Sequence, residues 1–202
     1  MNFFRKIRLI FKKIGAIASG RIHHINKVCA PEAIKLFRRI EKLPMPYSLL
    51  FHWLMVQTYA YFVKSFTTGI FSHLVKKLNV DLTQKLFGVY LCYATWIFTQ
   101  TGGFKDFTTM FPNFNATDLY SALFELTPYA KKIKKQIDEI SDRGGKPAIM
   151  LPIYVEEVIG DKAKAQSSSH YLLYGLHYME LMHHTLRQIS EDLTKGRTGK
   201  AE

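Results

Sequence analysis

The chain has 202 residues, 48% hydrophobic and 22% charged, with 15 Phe, 11 Tyr and 2 Trp. So many rings need burial or a partner, which excludes global disorder, and the length suits one domain with or without an arm. The net charge of +12 is uneven: residues 1–42 carry eleven Lys and Arg against Glu32 and Glu41, so +9 sits in the first fifth and the remainder is near neutral. Such asymmetry suggests contact with an anionic surface, lipid or nucleic acid.

The first eighteen residues repeat apolar side chains at steps of three and four (Phe3, Phe4, Ile7, Ile10, Phe11, Ile14, Ile17), with Arg5, Lys6, Arg8, Lys12 and Lys13 between them and no acid. This is the pattern of a basic amphipathic helix suited to an anionic membrane surface or a partner's groove. Basic residues are interleaved to Lys13, leaving no continuous apolar run for a secretory signal. A mitochondrial-type leader is the minor alternative.

Ser19-Gly20 predicts a stop, and Pro31 predicts the start of a second helix through Ile40, with Lys35, Arg38 and Arg39 on its wetter side. Pro44 and Pro46 close it. A third helix is expected from about Tyr47 to Leu78, bending at Gly69, and a fourth over Leu82–Phe98 with Asp81 as its cap. Their apolar windows are short or diluted for a membrane span and read as central helices of a soluble fold.

Residues 102–116 read as a loop anchored by Phe104, Phe107, Phe111 and Phe114, with a binding lid as the alternative. Thr117-Asp118 is expected to cap a helix through Leu126, and Thr127-Pro128 to open one through Asp142. In that helix Tyr129, Ile133, Ile137 and Ile140 form the stripe, while Lys131, Lys132, Lys134 and Lys135 lie off it. The stretch 147–159 has strand-like character, with Pro152 alternatively opening a short helix. Residues 160–169 read as a polar linker and His170–Leu193 as the last helix, with Leu172, Leu173, Leu176, Met179, Met182, Leu186 and Ile189 apolar. The domain reading is an arm over 1–20, one α-helical domain over 21–193 and a disordered tail over 194–202.

Chemistry-bearing motifs are sparse. No phosphate-binding glycine loop, nucleophile elbow or His-Glu-x-x-His is present, and no cofactor is implied. His177, Glu180 and His184 fall on one face of the last helix and could begin a metal site, but a second ligand set is missing. Cys29 beside His23 and His24 invites a thiol–imidazole pair, without an orienting third group. Cys29 and Cys92 fit no metal spacing and point to reduced thiols in a cytosolic setting.

The sequence therefore predicts an all-α compact bundle of five or six helices with a basic amphipathic N-terminal helix. The expected function is that of a non-enzymatic peripheral membrane or assembly-adaptor protein, cytoplasmic or membrane-associated, with no small-molecule substrate identifiable. Its partner is an anionic membrane surface or a protein complex. The alternatives are a nucleic-acid-binding protein using the Lys/Arg clusters and a metalloenzyme centred on His177, Glu180 and His184.

Overall fold

The computed structural model describes residues 3–159 and 169–198, with side chains over 19–101, 103–148, 150–159, 173–188 and 191. Every element among them is helical, giving eight α-helices where five or six were expected. The surplus comes from short helices in stretches read as loop or strand.

The first two predicted helices are one, α1 (Phe3–Ile40). Gly20 costs a helix about 1 kcal/mol relative to alanine but does not forbid it, and a Cβ there would meet nothing within 4 Å. Pro31 removes one intrahelical hydrogen bond, yet Pro31 and Lys27 are both exposed, so water can serve the freed carbonyl. The stripe that buries α1 is Ile25, Cys29, Ala33, Leu36 and Ile40.

Helix α2 (Tyr47–Thr67) runs antiparallel to α1, with the Phe37 and His52 rings 5.3 Å apart and Arg21 Nη1 donating to the Thr67 carbonyl at 2.7 Å. The 38 residues of α1 span about 57 Å and the 21 of α2 about 31 Å at 1.5 Å per residue. Helix α2 therefore covers only the C-terminal half of α1. Ile22 continues the buried stripe by spacing but is 43% exposed, because its cover ends at Thr67.

The expected long third helix also stops at Thr67. A tight turn follows, in which the Gly69 and Phe71 amides donate to the Lys64 and Ser65 carbonyls, and then a 3-10 segment over Ser72–Lys77. A Cβ on Gly69 would lie 2.7 Å from the Ser65 Cα, so the chain can fold back this closely only with glycine there.

Helix α3 (Val80–Thr99) is the centre: every residue from Leu86 to Thr95 is buried. It touches α1, α2 and each of the later helices, which is why its sequence is apolar all round. Asn79, not Asp81, caps it, its Oδ1 accepting from the Leu82 amide at 2.9 Å.

The expected 102–116 loop contains α4 (Gly102–Met110). Its aromatic anchors are pinned to the core, with Phe104, Phe107 and Phe114 ringing Phe98 at 5.7, 5.4 and 6.1 Å. Asn115 caps α5 (Ala116–Leu126) by accepting from the Asp118 amide and donating to the Asp118 carboxylate, displacing the expected Thr117-Asp118 cap. Helix α6 (Tyr129–Asp142) buries Ile133 and Ile137 as its stripe predicts. Thr127 does not cap it; its hydroxyl donates back to the Leu123 carbonyl.

The strand-like stretch is a 3-10 turn at Pro147–Met150 followed by α7 (Leu151–Ile159), the helical alternative at Pro152. The linker reading of 160–168 lies outside the described residues. Helix α8 (Ser169–Thr198) runs five residues into the segment read as tail, whose last four residues also lie outside the description.

A buried hydroxyl network fixes α8 to α2 and α3, and its donors run one way. Ser65 Oγ donates to the Tyr61 carbonyl and the Tyr174 hydroxyl donates to Ser65 Oγ, at 2.7 and 2.8 Å. The Tyr90 hydroxyl, 2.6 Å from that of Tyr174, must then donate to it. Tyr178 gives its proton to the Tyr90 carbonyl at 3.0 Å, so Thr58 must be the donor in its 3.1 Å contact with Tyr178. Each proton has an acceptor, the condition under which polar groups can be buried without penalty.

Candidate functional site

The predicted docking residues Phe3, Phe4, Arg5, Lys6, Ile7, Arg8, Ile10, Phe11, Lys12, Lys13 and Ile14 lie on the first half of α1; their side chains are outside the described residues. What the backbone adds is a common helical frame. Along one uninterrupted helix, the sequence positions Phe4, Ile7, Phe11, Ile14, Ala18 and Ile22 continue at steps of three and four into Ile25 and Cys29.

The Lys/Arg clusters beyond the first predicted helix, Lys35, Arg38 and Arg39 with Lys131, Lys132, Lys134 and Lys135, lie on two separate helices, α1 and α6. On α6, Lys134 lies 2.6 Å from Asp138, Lys135 3.9 Å from Glu139 and Lys132 3.6 Å from Glu157. Lys134 also sits over the Tyr120 ring at 4.6 Å. These pairs put anionic charge beside the α6 lysines, and Lys131 and Arg38 are exposed on their own helices. Lys35 and Arg39, by contrast, line one cleft of about 400 Å³ between α1, α3 and the α5–α6 corner. Its floor is Leu36, Phe87 and Leu126, all buried, and its rim adds Lys85, Asp81, Gln84 and Tyr129.

Gly88 makes this corner. A Cβ there would stand 3.2 Å from the Tyr129 Cβ and 3.3 Å from the Ala130 amide nitrogen, so a side chain at position 88 would push the start of α6 a few tenths of an ångström off α3. At the rim, Glu32 is buried yet fully engaged. Lys35 Nζ donates to Oε1 at 2.6 Å and Gln84 Nε2 to Oε2 at 2.7 Å. The Gln84 and Lys35 hydrogen bonds hold its carboxyl below the ordinary value. Lys85 reaches Asp81 at 2.6 Å, and Arg39 donates to the Glu125 carbonyl at the end of α5. The pairs Glu32/Lys35 and Asp81/Lys85 are visible as local spacings. Their meeting across two helices is not.

The metal reading does not assemble. His177, Glu180 and His184 are exposed on α8, with the His177 ring centred 5.8 Å from that of Tyr61 and tilted to it. Among the described residues no three His, Cys, Asp or Glu side chains group as a metal site requires. The inward face of α8 belongs to Tyr174, Tyr178 and Met182, and what stands against His177 from α2 is the ring of Tyr61, not a second ligand set. The thiol–imidazole pair fails similarly: Cys29 Sγ contacts Thr83 Oγ1 at 3.3 Å, and His24 Nε2 lies 3.3 Å from the Leu78 carbonyl.

Burial pushes the Cys29 thiol up to about 11, the Thr83 contact only partly opposing it, and burial pushes Cys92 higher still. Both thiols should therefore ignore a thiol-exchange reagent at pH 8 until the protein unfolds. Reaction of either thiol faster than unfolding, followed spectroscopically, would contradict this.

No family model, curated protein or solved structure matches this chain. Among the described residues, no helix is long and apolar enough to cross a membrane.

Proposed function

We propose that the protein is a non-enzymatic docking protein whose extended α1 lies along an anionic membrane surface. The observation that carries the reading is the continuity of α1 beyond the end of α2, together with the loss of cover already felt at Ile22. An apolar stripe that outruns its partner helix favours another apolar phase, and +9 of charge concentrated in residues 1–42 favours an anionic one. Phe4, Ile7, Phe11 and Ile14 enter the acyl boundary, while Arg5, Lys6, Arg8, Lys12 and Lys13 meet lipid phosphates. Each such cation contributes about 1 kcal/mol near an anionic surface.

Flotation with vesicles containing phosphatidylserine tests the proposal. The intact protein is expected in the floating fraction, and a full-length variant carrying Phe4→Ser, Ile7→Ser and Phe11→Ser is expected at the bottom. Equal flotation of the two would defeat the membrane reading. Binding that survives the three substitutions but falls steeply with salt, on a nucleic acid, would replace it with phosphate recognition.

A further inference from the structure

The cleft walled by α1, α3 and the α5–α6 corner has a chemistry of its own, independent of the docking arm. Its floor is apolar and its volume, about 400 Å³, falls within the range of small-ligand sites. Both acids on its rim are engaged: Glu32 by Lys35 and Gln84, Asp81 by Lys85. The two ammonium groups cancel the two carboxylates and still hold spare N–H donors, since each carries three. Arg39 differs from them. It donates to a neutral carbonyl, that of Glu125, and among the described residues lining the mouth no carboxylate is paired with its guanidinium.

We infer that this cleft binds a small amphiphilic monoanion, a carboxylate on an apolar chain. The chain lies on Leu36, Phe87 and Leu126, and the carboxylate meets Arg39 with Lys35 or Lys85 beside it. Charge selects a monoanion, because the rim carries one net positive charge. Geometry selects a carboxylate, because the planar guanidinium fork matches its two oxygens. A cationic amphiphile gains nothing here, as the carboxylates that could hold it are already bonded.

The test is an NMR titration of the full-length protein with decanoate, decylamine and butyrate. Decanoate is expected to shift the Leu36 and Leu126 methyls and the Gln84 side-chain amide. Arg39 is exposed, so Arg39→Gln leaves the fold intact and is expected to raise the decanoate Kd about 10-fold or more, the weight of a charge-assisted hydrogen bond. The full-length variant with Phe11→Ser is expected to bind decanoate unchanged, which separates this site from the arm. The inference is overturned by decylamine or butyrate binding as tightly as decanoate, by an unchanged Kd in Arg39→Gln, or by shifts confined to other residues.

Discussion

Replacing Gly175 with alanine is expected to lower the stability of the whole protein by about 3 kcal/mol, although alanine is the better helix former. In the interior of a helix the exchange normally gains about 1 kcal/mol. Here a Cβ at position 175 would stand 2.1 Å from the Ala148 carbonyl oxygen and 3.1 Å from its carbon. Helix α8 crosses the Pro147–Met150 turn backbone to backbone, and that turn cannot simply retreat. The Tyr93 hydroxyl donates to the Pro147 carbonyl at 2.8 Å, and Pro152 at the start of α7 stands 3.5 Å from the same Cβ position. Overpacking of this kind costs about 1–3 kcal/mol, occasionally more. For a chain of this size about 3 kcal/mol is a fall in Tm of about 6–12 °C. Gly20→Ala is the control, since nothing lies within 4 Å of its Cβ position. Its Tm should stay level or rise. A Gly175→Ala protein as stable as the parent would mean that α8 does not cross the turn this closely.

The second large effect is alkaline unfolding. Burial pushes the hydroxyls of Tyr90, Tyr93, Tyr174 and Tyr178 well above the ordinary tyrosine value of 10.0. The folded protein therefore keeps protons that the unfolded chain releases, so the unfolded state binds fewer protons and stability must fall as pH rises. The stability is whole below about pH 10, where unfolded tyrosines begin to ionise, and is lost progressively as pH climbs toward the folded values. Each tyrosine contributes about 1.4 kcal/mol per pH unit across that interval. Four together come to roughly 5 kcal/mol per unit, comparable to the total stability of a typical domain. Tyrosinate absorbance and helical circular dichroism should then change together, in one steep step above pH 10. Gradual ionisation at pH 10 with the helices intact would show that the four hydroxyls are open to solvent.

The tyrosines also mark where sequence reading lost the phase of α8. Of the apolar residues read along it, Met182 and Leu186 are buried, yet Leu173 and Leu176 are 65% and 44% exposed and Tyr174 and Tyr178 take their place inside. Position 173 lies about 100° around the helix from 174, so only one of the two sets can face inward. Leucine buries at no polar cost. Tyrosine needs an acceptor, and Ser65, Thr58 and the Tyr90 carbonyl supply the partners from α2 and α3. No spacing within α8 announces those partners.

Local chemistry settled much of the rest. The stripe of α6, with Ile133 and Ile137 inside and its lysines outside, follows from a 3.6-residue period that any core would accept. The all-helical class follows from the same periods, and the cationic first fifth from counting charges. Tertiary structure decided what no local pattern contains. It decided that Gly20 and Pro31 are carried within one helix, because their exposed positions let water take over what the backbone loses. It decided that α2 runs out at Thr67 and leaves Ile22 uncovered. And it decided that Lys35 and Arg39, two cations among many along α1, stand with Lys85 over an apolar floor, because Gly88 lets α6 close against α3.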